Sequence, residues 1–348
     1  MKPKKNYAAW TVDPDSFPYT GSLASQIEHL LRYAVLAPST HNTQPWVFAS
    51  ASEGELMISP NYAKALPEAD KTGSGLYFSL GCALMNIMIA ANHFGLNVRH
   101  SVITVGSDQT HLKLEFIPIP GHTRESAGEI SMLHAIQMRR SHKLPFKNGQ
   151  VSTELIARVS GLRYGDAHLN IATDKAAIHE LAELHFEATM TFADKPKFSK
   201  EVSSWMRPNH TGKYDGMPGF TFGLPAPLAL LAKTMASLSP KSVGVVAKRD
   251  RRLIRSASGL GLISTLSQTP ESWINAGMLY QHVGLIFVTQ NVLLAPKAAA
   301  IQSGNGEKLN KVFLTNDYPQ LYFAFGYGDD VVRHSPRRGA KLTNAGAA

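Results

Sequence analysis

The chain has 348 residues, 44% of them hydrophobic and 18% charged, a globular composition that can bury a substantial core in one large domain or two of ordinary size. Lys plus Arg is 35 against Asp plus Glu 26, a formal +9 that favours anionic partners: nucleic acid, membrane surface or phosphorylated small molecule. A single cysteine, Cys82, excludes an intrachain disulfide and a zinc site built from several thiolates.

In chain order, the N-terminal "MKPKKNYAAW" lacks the apolar core of a signal peptide, so a cytoplasmic protein is expected. A helix is predicted over 22–37. It breaks at Pro38 into Ser39, Thr40, His41, Asn42, Thr43 and Gln44, closed by Pro45 and Trp46. Such a run is either a polar surface loop, through local side-chain to backbone bonding, or a loop that hydrogen-bonds a planar polar ligand. Strands are predicted at 46–50 and 55–59. The apolar run 76–96 is long enough for a membrane span, as is 273–296. Asn86, Asn92 and His93 in the first, and Asn275, Gln281, His282, Gln290 and Asn291 in the second, make both better read as buried core helices. Each follows a strand-like run and a turn, and each carries a glycine near its start, Gly81 and Gly277. This is a sign of internal repetition.

Strands at 97–104 and 111–117 and a helix at 126–138 lead to "MRRSHKLPF". In an extended backbone Arg139, Ser141 and Lys143 point one way and Arg140 the other. Two cations and a hydroxyl suit a phosphate, although basic residues at a helix C-terminus are also favoured by the macrodipole. Helices at 152–160 and 174–193 flank a strand at 168–172. His179 and His185 in "HELAELH" do not share a helix face, so no metal site is expected. The Gly- and Pro-rich stretch 195–245 lacks regular elements and is expected to be a lid. "KRDRRLIR" at 248–255 reads as a solvated helix face. With no basic run interleaved with aromatics, a nucleic-acid-binding protein is only an alternative. A strand at 260–266 contains "GLGLIS", which lacks the third glycine of a dinucleotide fingerprint. A last strand is predicted at 321–327, then a basic tail with Arg337 and Arg338 and a frayed end from "KLTNAGAA".

Three stretches together carry a resemblance. "APSTHNTQPWVF" resembles the P-S-x-x-N-x-Q-P-W-x-F loop of the nitroreductase superfamily. "RRSHK" resembles its R-x-S-x-R/K segment, with one residue more before Phe146 than the family pattern. "GYGDDVVRHSPRRG" resembles its basic C-terminal stretch. Ordinary members carry the R-x-S-x-R/K segment before the loop; here it comes about a hundred residues after it. That order is similar to the Acg family, in which one chain carries two nitroreductase-like halves. The resemblance implies an α+β fold with halves 1–135 and 136–348 forming a pseudo-dimer around long buried helices, and a lid at 195–245. It implies one FMN per chain, with Pro38, Ser39, Thr40, Asn42 and Gln44 on the ring side. Arg139, Ser141 and Lys143 would meet the ribityl-phosphate, and Arg337 or Arg338 the phosphate. The implied activity passes electrons from NAD(P)H to a nitroaromatic or quinone, with no side chain required as acid or nucleophile. A flavin-holding protein with little turnover is the alternative within the same fold. Expected partners are the small-molecule acceptor only, the chain acting as a monomer.

Overall fold

The computed structural model describes residues 5–105, 109–122, 131–222, 240–329 and 333–344. Along the chain, α1 (Leu23–Ala34) precedes β1 (Trp46–Ser52), β2 (Glu55–Pro60), α2 (Ser74–His93), β3 (Leu96–Val105), β4 (Gln109–Pro118) and α3 (Met132–Met138). Next come α4 (Thr153–Ser160), β5 (Arg163–Tyr164), β6 (Ala167–Ala172), α5 (Lys175–Met190), α6 (Pro196–Trp205), β7 (Met206–Arg207) and β8 (Met217–Pro218). The chain continues with α7 (Pro240–Arg255), β9 (Gly259–Thr265), α8 (Pro270–Thr289), β10 (Leu293–Lys297), α9 (Ala299–Gln302), α10 (Gly306–Phe313), β11 (Tyr318–Gly326) and β12 (Leu342–Asn344).

The fold is α+β. One five-stranded sheet has the order β12-β1-β2-β4-β3, antiparallel except that β12 runs parallel to β1 with Phe48 opposite Leu342. The other, antiparallel throughout, has the order β10-β11-β9-β6-β5. Alternation along its strands divides the second sheet between two cores. Ile263, Phe323 and Phe325 face the main core with α1, α2, α8 and the first sheet, while Leu260, Leu262 and Tyr322 pack with α5, α7 and α10. The glycines of "GLGLIS" serve this packing: a Cβ on Gly259 or Gly261 would lie 2.4 or 2.3 Å from the rings of Phe325 and Phe323.

The centre is the pair α2 and α8, each 20 residues long and apolar on most sides. By length and composition α2 could cross a membrane, but most of it is buried within the protein. Thr269 caps α8 by accepting the Ser272 N–H at 3.2 Å, and Pro270 pre-sets the first turn. The two helices meet through reciprocal glycines. A Cβ on Gly81 would fall 2.0 Å from the Ile274 carbonyl oxygen, and one on Gly277 would fall 2.0 Å from that of Phe78. Nothing larger than glycine permits backbones this close. Two polar contacts cross the same interface, Gln281 Nε2 donating to Asn86 Oδ1 at 2.7 Å and Cys82 Sγ donating to the Gly277 carbonyl at 3.3 Å.

Every strand predicted from the sequence is present within three residues of its expected ends. The expectation of no regular structure over 195–245 is corrected. Residues 196–205 form α6, whose Phe198 and Val202 are half-buried, and α7 begins at Pro240; 223–239 lie outside the described residues, as do 126–130 of the helix expected at 126–138. The frayed end expected from 341 is also corrected, because 342–344 pair with the otherwise open edge of β1; 345–348 lie outside the described residues.

Candidate functional site

A cavity of about 450 Å³ lies between α2, the 38–42 loop, the 139–143 segment and the α5–α7 layer, a volume suited to a small-molecule ligand. Its lining carries Arg139, Arg140, Lys143, Lys297, Arg333 and Arg337 against Asp70 and Asp250, so it attracts anions.

The loop is built by strain held in place. His41, Asn42 and Gln44 have φ of 50°, 57° and 53°, left-handed values that cost a non-glycine residue on the order of 1–3 kcal/mol. Ser39 Oγ accepts the Gln44 N–H at 2.9 Å. Asn42 Nδ2 donates to the carbonyls of Gly216 (3.0 Å) and Pro336 (2.9 Å), and Gln44 Nε2 to that of Tyr214 (2.9 Å). Arg337 donates to Asn42 Oδ1 and, at 3.3 Å, to the Ala37 carbonyl. Arg338 donates through its backbone N–H to Gln44 Oε1 at 2.8 Å, and through its side chain to the carbonyls of Thr43 and Gln44 and to Asp215. The C-terminal arm and residues 211–216 thus clamp the loop. Trp46 lies behind it in the core.

Pro38, Ser39, Thr40, Asn42, Arg139, Ser141, Lys143 and Arg337 all line this one cavity. Gln44, 1% exposed, and Arg338 do not; they are the clamp itself. Arg140, expected on the far side, also lines the cavity. The reason is local: Arg139 still closes α3, and only Ser141 and His142 run beside β10, with the His142 N–H donating to Leu294 O at 2.7 Å. A simple two-residue alternation therefore does not hold across the segment.

Two cationic poles result. At the first, Arg139 is 6% exposed, and among the described residues it has no carboxylate within 4.0 Å and no partner for Nε. Burial lowers its pKa. Burial and the neighbouring Arg139 hold Arg337 down to about 9, and among the described residues the buried Arg337 Nε also has no partner. His334 stacks on Trp10 (ring centroids 3.9 Å apart); burial and Arg140, Arg139 and Arg337 bring it down to about 4, so it is neutral at pH 7. The second pole lies between β10 and α7. Lys297 donates to Asp250 at 2.6 Å, Arg249 bonds Asp250 at 2.9 Å, and His185 stands 3.5 Å from the same carboxylate. These charges hold Asp250 well below the usual carboxylate range despite its burial. Lys143 faces this pole, brought down to about 7 by burial and by Lys297.

Sequence reasoning missed Lys297 and Asp250, and weighed His185 only as a metal ligand. Two signals were available: a lone Lys ending the apolar strand "LLAPK", and an acid inside the basic run "KRDRRLIR". That run is only partly solvated, since Leu253 and Ile254 are buried and Arg251 and Arg255 pair with Glu183. On the other side of the cavity Asp70, its pKa raised by burial, accepts the N–H groups of Gly75 (3.0 Å) and Leu76 (2.9 Å) at the start of α2.

No family model matches the chain. Two uncharacterized proteins of Mycobacterium tuberculosis, from strains CDC 1551 and H37Rv, are 33% identical to it over 126 residues, 34% of this chain. The matched stretch is 36% of each, so the chain spans about a third of the length of the curated relatives it matches. Among solved structures, the FMN and NADPH-dependent nitroreductase NfnB from sphigopyxis sp. strain HMH is similar at 16% identity, covering 60% of this chain and 94% of that one, with a TM-score of 0.40. NfnB from Mycobacterium smegmatis in complex with NADPH gives 15%, 59%, 92% and 0.38. Iodotyrosine deiodinase bound to FMN and 3-iodo-L-tyrosine gives 13%, 60%, 95% and 0.39. At such identities and TM-scores, the chemistry of the cavity rests on this chain's own residues.

Proposed function

We propose that the chain is an FMN-dependent oxidoreductase of the nitroreductase class, holding one flavin in the cavity. The observation that carries this is Arg139: a buried guanidinium without an acidic partner among the described residues, facing the same space as the strained 38–42 loop. A buried cation left in this state is costly unless an anion completes it. The residues fit the group. Arg139, Ser141 and Arg337, with Arg140 beside them, would take the phosphate, and Pro38, Ser39, Thr40 and Asn42 would border the ring. Bound there, FMN supplies hydride acceptance from NAD(P)H and electron delivery to a small electron-poor organic molecule. The protein's part is to bind and orient: the clamp of Gln44, Arg337 and Arg338 fixes the loop, and the second cationic pole sets the field at the far end.

In this reading the chain is its own dimer, with halves 1–135 and 136–348. The reciprocal contact of Gly81 and Gly277 supports a two-fold relation between them. The second reading, a flavin holder with little turnover, is favoured by one observation. Phe198, Val202, Met217 and Phe222, from the segment expected to be a lid, already line the cavity. Denaturing the purified protein and quantifying released flavin tests the binding; a yield near one FMN per chain is expected, and none would refute it. Oxidation of NADPH or NADH with a nitroaromatic or quinone then separates enzyme from holder.

A further inference from the structure

We propose that the end of the cavity between α5, α6 and α7 is a second ligand site, shaped for a planar apolar molecule bearing one carboxylate, with Lys143 and Lys297 facing the acid. Its walls are apolar: Phe192 and Phe198 stack with centroids 4.1 Å apart, and Val202, Phe222 and Val246 close the rest. Such walls suit an aromatic body and offer little to a sugar-phosphate. The charged floor is unbalanced. Among the described residues Asp250 is the one carboxylate at this end, shared by Lys297 and Arg249, and Lys143 has none within 4.0 Å. His185 adds no charge, its pKa lowered by burial and its Nδ1 bonded to Tyr322 Oη at 2.7 Å. Lys297 and Arg249 against Asp250 leave one positive charge, and Lys143, brought down to about 7, adds a second that it loses as pH rises, a surplus that suits a monoanion. In a partly enclosed site of low dielectric this surplus discriminates strongly between an acid and its neutral isostere.

The binding rests on these residues alone; that the ligand is the electron acceptor rests on the flavin reading above. The test is calorimetric titration of the protein as purified with 4-nitrobenzoate and with 4-nitrobenzamide, which differ in charge and hardly in shape. Flavin content is measured separately. The acid is expected to bind at least about tenfold more tightly, as the loss of one charged hydrogen bond implies. That preference falls to about twofold or less in Lys297→Met and in Lys143→Met, and persists in the exposed Lys71→Met. Should Lys297→Met fail to fold, Lys143→Met carries the comparison. Equal affinities for the two probes overturn the proposal, as does a preference that survives both lysine substitutions or disappears in Lys71→Met, the mark of a diffuse basic field. A protein without flavin that still prefers the acid refutes the flavin reading and leaves this site standing; flavin bound with no preference does the reverse.

Discussion

Replacing Arg139 by Met separates a ligand-binding arginine from a structural one, because the two roles predict opposite signs. Arg139 is 6% exposed, has no carboxylate within 4.0 Å among the described residues, and lowers the pKa of the neighbouring Arg337. Burying an unpaired charge is unfavourable, and exchange of buried ionic groups for apolar ones of similar volume is commonly stabilising by ~1–4 kcal/mol. Arg139→Met is therefore expected to raise the stability of the flavin-free protein by about 1–3 kcal/mol. The same change removes a charged hydrogen-bond donor from the phosphate pole, which contributes roughly 1.5–3 kcal/mol, so FMN affinity should fall about tenfold to a hundredfold or more. The measurements are urea unfolding of the flavin-free form and FMN titration by fluorescence quenching. A variant less stable without flavin but unchanged in FMN affinity would mean that Arg139 serves the fold, and the assignment of the phosphate pole would be wrong.

Arg140→Ala should weaken FMN less than Arg139→Ala, yet measurably, since Arg140 also lines the cavity; no effect at either of two salt concentrations would remove it from the site. Gly81→Ala and Gly277→Ala should each destabilise by about 3 kcal/mol or more, although alanine is favoured in a helix by ~1 kcal/mol, because the added Cβ meets a backbone carbonyl at 2.0 Å. Unfolding in urea checks the sign, and a gain in stability would contradict the helix contact. Lys143 makes the flavin-free protein sensitive to pH. Its folded pKa of about 7 is depressed from the ordinary 10.5 by burial and Lys297, with Asp250 and Arg249 also facing it and His41 close by. The unfolded chain therefore holds that proton more tightly, and stability should rise from pH 7 towards 10.5 and fall as pH drops through 7. Lys297 and Arg337 shift in the same direction, so the relevant quantity is the part of the slope that Lys143→Met removes; identical profiles for the two proteins would refute it.

The sequence and the structure agree where a local signal decides the outcome. The alternating strands, the Thr269–Pro270 helix start and the two long apolar helices needed no tertiary information. The loop was legible too, because hydrogen-bonding side chains between two prolines must either satisfy the backbone or meet a ligand; in the structure Ser39 and Gln44 both bond the backbone, and Ser39 also lines the cavity. What was illegible depends on partners far along the chain. Nothing near Arg338 indicates that it would bond Thr43 and Gln44 across nearly three hundred residues. Nothing near Leu342 indicates a strand until the open edge of β1 is in place. The path of 139–143 went wrong for a similar reason, since a periodicity argument assumes a uniform backbone and this one changes from helix end to β-bridge within three residues.

The division of the cavity into two poles bears on how a single chain could use both. Arg139 and Arg337 sit with the C-terminal arm, whose backbone is tied to the 38–44 loop and to Asn6. Lys143, Lys297 and Asp250 sit with β10 and α7, in the second core. The two clusters are therefore anchored to different packing units and joined mainly through residues 139–143, whose two ends face different poles. A tightly held phosphate at one end and exchange of a smaller ligand at the other are compatible in this arrangement. They would not be if one set of cations served both.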